Sequence, residues 1–127
     1  MDYPDQLRYS AEHEWVAVEG NRARVGITDY AQDALGDVVY VQLPEAGAAV
    51  AAMAACSEVE STKSVSEVYA PIGGTIALVN EALGEMPELL NQDPYGDGWM
   101  FVIEMSDPSE LDRLMDAAAY RQLVDEQ

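Results

Sequence analysis

The sequence predicts a mostly β protein with short helices, two packed sheets and a C-terminal helix. Three observations carry this. Short runs of β-branched and aromatic residues recur along the chain, bounded by Gly, Pro and Asn turn signals. An acidic residue, a valine and Pro-x-x-Gly occur twice. Asp37-Val38 precedes Pro44-Glu45-Ala46-Gly47, and Glu67-Val68 precedes Pro71-Ile72-Gly73-Gly74, with the prolines 27 positions apart. Two copies do not make a repeat architecture, but they point to two similar half-sheets packed face to face. Only the tail changes to a helical period. With 127 residues, 49% of them hydrophobic, one domain spanning 1–127 is expected, large enough for its own core.

The elements follow in order. Trp15 to Val18 and Arg22 to Ile27 flank Glu19-Gly20-Asn21 and predict a hairpin. Thr28 is placed to cap a short helix ending at Leu35, and Gly36 fits the left-handed stop after it. Asp37 to Leu43 reads as a strand ended by Pro44 and Gly47, and the Ala-rich stretch to Ala55 as a loop or weak strand. Cys56–Glu60 and Val65–Tyr69 read as strands around the tight turn Ser61-Thr62-Lys63-Ser64. Thr75–Val79 and Trp99–Met105 are further strands, separated by a helical turn at Pro87–Leu90 and a loop over 91–98. In the tail, Asp107 fits an N-cap, Pro108 the first helical position and Glu110 the acid of a capping box. Leu111, Leu114, Met115 and Ala118 then recur at i, i+3, i+4 and i+7, predicting one amphipathic helix.

Acid dominates: 24 Asp and Glu stand against six basic residues, for a formal charge of −18. No Lys/Arg stripe is available to neutralise phosphates, which argues against nucleic acid and against docking on anionic membrane. The longest apolar run, Ala46–Ala55, is too short to span a bilayer. One cysteine, Cys56, forms no intramolecular disulfide, and the first residues show no targeting pattern, so a cytoplasmic protein is expected. Charge is spread evenly: 12 acids and four bases in residues 1–80, 12 and two in 81–127.

Little in the chain resembles ordinary catalysis. The single histidine, His13, lies between Glu12 and Glu14, which an extended chain would place on one side and His13 on the other. A structural histidine is therefore expected, and no metal site. No Gly-rich phosphate loop, HExxH pair or GxSxG elbow is present. That leaves Lys63, the only lysine. Two readings stay open from the residues alone. One is a solvated turn lysine. The other is a covalent attachment point, a primary amine on a long stem, with small neighbours (Ser61, Thr62, Ser64) to admit a modifying enzyme and strands behind for rigidity.

Glu60-Ser61-Thr62-Lys63-Ser64, then Ser66-Glu67 and Pro71-Ile72-Gly73-Gly74, resembles the lipoyl-lysine segment of the glycine cleavage system H-protein family. His13-Glu14-Trp15, Gly26-Ile27-Thr28, Ala31, Leu35-Gly36-Asp37, Leu43-Pro44, Gly47, Asn80, Leu83, Pro87, Asn91, Pro94-Tyr95-Gly96 and Gly98-Trp99 follow in that family's order. The resemblance spans residues 7 to 124. It implies a lipoyl-domain-like barrel-sandwich hybrid and a non-catalytic carrier with lipoate in amide linkage on Lys63. The implied partners are a pyridoxal-phosphate glycine decarboxylase, a tetrahydrofolate-dependent aminomethyltransferase, dihydrolipoyl dehydrogenase and a lipoate-attaching enzyme. The carrier itself is expected to be a monomer.

A loaded aminomethyl group is prone to hydrolysis, so the implied arm needs a cleft that excludes water and carboxylates to hold its amine. Glu14 is the first candidate, Glu67 the second and Glu12 the third. Glu60 and Gly74 resemble positions by which lipoate-attaching enzymes recognise this fold; a turn position explains Gly74 equally. The chain departs from the family in Thr62-Lys63-Ser64 for Val-Lys-Ala, in Glu67 for Asp, and in Pro71-Ile72-Gly73-Gly74, where Ser or Ala more usually precedes the second glycine. An H-like lipoate carrier in lipoate relay or sulfur metabolism, and an unmodified binding module, are the alternatives. Methionines flank the lysine of biotin carriers, and here Thr62 and Ser64 do.

Overall fold

The computed structural model describes residues 1–127. The chain runs β1 (Arg8–Tyr9), β2 (Glu14–Glu19), β3 (Arg22–Ile27), α1 (Asp29–Leu35), β4 (Val38–Gln42), β5 (Ala49–Val50) and β6 (Ala55–Ser61). It continues through β7 (Val65–Tyr69), β8 (Gly74–Val79), α2 (Ala82–Glu85), α3 (Leu89–Gln92), β9 (Phe101–Met105), a 3₁₀ helix (Pro108–Arg113) and α4 (Ala117–Asp125). The strands form a six-stranded sheet in the order β1-β2-β3-β9-β8-β5 and a three-stranded sheet in the order β4-β6-β7. Every pairing is antiparallel.

One apolar core joins the sheets. Val25 and Ile27 of β3, Ile103 of β9, Val41 of β4, Val59 of β6 and Val68 of β7 belong to the same buried cluster. Each such side chain contributes about 1.5–3 kcal/mol relative to exposure. The half-sheets are unequal, six strands against three, where the twofold motif predicts similar ones. Its real meaning is topological. Both Pro-x-x-Gly segments carry the chain from the small sheet to the large one, β4 to β5 and β7 to β8, and β5 then pairs with β8.

Two turns follow the sequence closely. Gly20, at φ +62°, turns the β2–β3 hairpin. Thr28 caps α1, its hydroxyl oxygen accepting from the Ala31 N–H at 3.2 Å, and Gly36 ends it at φ +82°. Gly74 is constrained by neighbours. It sits at φ +155°, and a Cβ there would be driven into the Glu104 carbonyl of β9. Gly74→Ala is therefore expected to lower unfolding stability by about 3 kcal/mol or more. In urea titrations Gly84→Ala, at an open position in α2, should instead leave the midpoint unchanged or raise it.

The tail differs from the single helix that its periodicity predicts. Asp107 and Pro108 do start a helix, but it is 3₁₀ and stops at Arg113. Leu114 is extended, and Met115 bridges Tyr9, exchanging two N–H···O bonds of 2.8 Å. Asp116 then caps α4, accepting from the Ala119 N–H at 2.8 Å. Leu111 and Leu114 pack on the main core, whereas Met115 joins a second cluster with Tyr9, Trp15 and Tyr120. Ala118 is exposed. Leu111, Leu114 and Met115 thus serve two cores, which no single helix face could do. Glu110 does not close a capping box; its carboxylate accepts the Gly73 N–H at 2.9 Å. No helix is long and apolar enough to cross a membrane.

Candidate functional site

The β6–β7 hairpin ends in Ser61-Thr62-Lys63-Ser64, held from within and from outside. The Ser61 hydroxyl oxygen accepts the N–H groups of Lys63 (3.2 Å) and Ser64 (3.1 Å), and the Ser61 N–H donates to the Ser64 carbonyl (2.8 Å). The Thr62 N–H donates to the Asp37 carbonyl at 3.0 Å, pinning the tip beside β4. Asn91 steadies that junction: its Oδ1 accepts from the Val38 N–H and its Nδ2 donates to the Gly36 carbonyl, both at 2.9 Å. Lys63 is exposed and in no ion pair. Its stem lies over Gly36, where a Cβ would stand 3.3 Å from Lys63 Cε. A rigid backbone thus carries a free amine.

Beside the tip, edge strand β7 and helix α1 bound a cleft of about 270 Å³. Ser64 and Val65 line it, so Lys63 is rooted at its margin. Ile27, Leu35 and Val59 give it apolar walls, and Glu12, Glu14, His13 and Glu67 give it polar groups. The three acids named from the sequence therefore meet in one place. Glu60 lies on β6 between Tyr40 and Val65, and Gly74 lies in the other sheet. Neither lines the cleft.

The three acids differ in setting. Glu12 and Glu67 are exposed, and Glu67 accepts from the Tyr69 hydroxyl at 3.2 Å. Glu14 is 1% exposed. The Ser10 hydroxyl donates to its Oε1 at 2.5 Å and the Tyr69 N–H to its Oε2 at 3.2 Å. Burial outweighs those two hydrogen bonds and raises the carboxyl to about 7. Burial also pushes the Cys56 thiol up to about 12, so it stays protonated.

His13 needs a correction. It adopts φ +73°, so the chain is not extended there and Glu12, His13 and Glu14 all face one cleft. Its Nδ1 lies 2.7 Å from the Tyr120 hydroxyl, which is 2.7 Å from the Thr28 hydroxyl, and its ring packs on Tyr30. Burial lowers its pKa. No group of three or more His, Cys, Asp or Glu is arranged to hold a metal ion.

A family model for the glycine cleavage H-protein matches residues 7–127. The H proteins of Anoxybacillus flavithermus and Bacillus subtilis are 54% and 53% identical to this chain over 126 residues, covering 99% of both sequences in each case. The crystal structure of the Mycobacterium marinum H protein superposes with a TM-score of 0.89 at 41% identity, covering 97% of this chain and 99% of that one. The chain belongs to the glycine cleavage H-protein family. H proteins carry a lipoyl group and are carriers in glycine cleavage, not catalysts.

The sequence marks the lysine hairpin and the three acids, but nothing in it marks the other residues that line this cleft. Ile27 and Tyr30 read as strand end and helix start, with nothing to aim them at β7. Asn91 falls among the family-ordered residues, yet its reach to Val38 and Gly36 crosses more than 50 residues. Tyr120 gives no local signal at all. Its role depends on α4 packing against β1 and His13.

Proposed function

We propose that residues 1–127 act as one lipoyl-carrier domain bearing lipoate in amide linkage on Lys63. The reading rests on one observation: the chain's only lysine is an unpaired, exposed amine on a pinned hairpin tip, at the margin of a carboxylate-bearing cleft. The donor set fits such a group, with an amine for the amide, apolar walls for an aliphatic arm and acids for a cationic end. When bound, the group would supply a disulfide to accept the aminomethyl unit from glycine decarboxylation, and the dithiol left after that unit is passed on would be reoxidised by dihydrolipoyl dehydrogenase. The chain's own residues do the holding. Ser61 and Asp37 fix the root of the arm, Ile27, Leu35 and Val59 exclude water, and Glu14 and Glu67 accept hydrogen bonds from an ammonium.

The partners of this reading are glycine decarboxylase, the aminomethyltransferase, dihydrolipoyl dehydrogenase and the lipoate-attaching enzyme. The last of these would read Glu60 and Gly74, three residues before the lysine and one crossover beyond it. A charge of −18 favours a monomeric carrier, and a single half-buried thiol suits a reducing cytoplasm. Lipoylated protein mixed with glycine decarboxylase should support glycine–bicarbonate exchange. Absence of exchange from fully lipoylated chain would overturn the reading. The encounter should also weaken as salt rises, because the acidic surface is screened.

A further inference from the structure

His13 stands in the cleft with Glu12, Glu14 and Glu67, yet its imidazole is tied to the body of the fold and not to those acids. Its backbone is held at φ +73° from two sides. The His13 N–H donates to the Ser10 carbonyl, and the His13 carbonyl accepts from the Thr28 N–H, both at 3.1 Å. The ring packs on Tyr30 of α1, with 4.8 Å between centroids. Nδ1 meets the Tyr120 hydroxyl of α4 at 2.7 Å, and that hydroxyl meets the Thr28 hydroxyl, also at 2.7 Å.

The protons available fix the direction of this chain. Thr28 and Tyr120 are fully buried, so each hydroxyl proton needs an acceptor within the protein. The Thr28 oxygen already accepts the Ala31 N–H, and the one acceptor within reach of its own proton is the Tyr120 oxygen. Tyr120 then donates onward, and the acceptor left to it is His13 Nδ1. The reverse direction would leave the Thr28 proton unpaired in the interior, at the cost of a desolvated donor. Nδ1 is therefore an occupied acceptor, and the ring proton sits on Nε2. Burial, against the Glu12 charge and the Gln127 side chain, lowers the pKa of the ring and favours this neutral form. The titratable groups around it are Glu12 and Glu14, Glu67 across the cleft on β7, and the Tyr30 and Tyr120 phenols of α1 and α4. A neutral imidazole with one nitrogen protonated and the other capped has no lone pair to offer the cleft.

We propose that Tyr120 and Thr28 are positioning residues that disarm His13 as a base and so protect an aminomethyl cargo from loss. The proposal rests on the carrier reading and adds a safeguard to it: the carboxylates hold the ammonium, and Tyr120 denies it a proton acceptor. Loss of the cargo starts from the free amine. The ammonium gives a proton to a base, and the nitrogen lone pair then forms a C=N bond as the C–S bond breaks, its electron pair leaving on sulfur as thiolate. The released methylene iminium takes up water and gives formaldehyde and an ammonium ion. An imidazole, basic near neutral pH, is well suited to take the first proton. Here it stands in the cleft with its lone pair spent on Tyr120.

The chain has one histidine, so its ring nitrogens can be read directly by ¹⁵N NMR on the unmodified protein. At pH 8 Nε2 should carry the proton and Nδ1 should be bare and hydrogen-bonded; a proton on Nδ1 overturns the proposal whatever the state of Lys63. In lipoylated chain loaded by glycine decarboxylase, Tyr120→Phe should speed loss of the aminomethyl group by about threefold to tenfold at pH 8, part of what a positioned base supplies. The ratio to wild type should fall towards one below about pH 6, where the imidazole is charged. The extra loss should also vanish when His13→Asn is added, asparagine being tolerant of the left-handed backbone there. Thermal unfolding checks that each variant is folded, and if Tyr120→Phe is not, the wild-type spectrum decides. Equal loss from wild type and folded Tyr120→Phe overturns the proposal, as does extra loss that survives His13→Asn, which is loosened packing and not a released base. Failure of glycine decarboxylase to load the wild-type chain overturns the carrier reading and the protective role together, and the spectrum tells that failure from a wrong tautomer.

Discussion

Lys63→Arg is expected to abolish lipoyl attachment completely while leaving the fold intact. Amide formation needs a primary amine that can lose a proton and attack an activated acyl group. A guanidinium stays protonated above pH 12 and is a poor nucleophile. No other side chain can substitute, because Lys63 is the only lysine. Stability should not change, since Lys63 is exposed and forms no ion pair, and the backbone bonds that hold the turn belong to Ser61, Thr62 and Ser64. Intact mass of protein made under lipoate-replete conditions should show one lipoyl addition on wild type and none on the variant. An identical addition on both would place the group elsewhere. No addition on either would favour an unmodified binding module.

How much of this was legible in the sequence depends on where each element finds its partners. β2, β3, β4, β6, β7, β8 and β9 each carry β-branched residues between turn signals, and their local pattern places them within two residues of their actual bounds. The two-residue strands β1 and β5 have no pattern of their own; they exist because β2 and β8 offer an edge. The tail failed for the same reason. Its i, i+3, i+4 spacing is sound helix grammar, but Met115 finds Tyr9 more than 100 residues upstream, and that bridge splits the helix. Tertiary pairing overrode a local preference.

The site divides along the same line. The lysine turn was legible because small polar residues between two extended runs leave few alternatives. That Glu12, Glu14 and Glu67 would share a cleft was not legible from spacing. The left-handed turn at His13 brings Glu12 and Glu14 together there, and positive φ is uncommon enough outside glycine that no local pattern announces it. The setting of Glu14 is only partly local. Ser10, four residues upstream, donates to one carboxyl oxygen, and the Tyr69 N–H of β7, 55 residues downstream, donates to the other.

The burial of Glu14 gives the second large effect. Glu14 holds its proton more tightly folded, at about 7, than unfolded, near its ordinary 4.5. Its contribution to stability is therefore full below pH 4.5 and is lost as pH rises through 7, a span worth about 3 kcal/mol. Glu14→Gln is isosteric and uncharged, so it should gain on wild type by about that amount between pH 4.5 and 8 in urea titrations. A stability difference that stays flat across that range would sink the assignment. The same balance bears on cargo. A cationic amine entering the cleft stabilises the ionised carboxylate, so Glu14 should release its proton on loading and hold the ammonium by a charge-assisted hydrogen bond worth about 1.5–3 kcal/mol. Glu14→Ala should then speed loss of the aminomethyl group from loaded protein by about tenfold at pH 8. Glu12→Ala, which removes an exposed carboxyl, should change the decay much less. Equal decay in wild type and Glu14→Ala would show that the arm's amine is held by other groups.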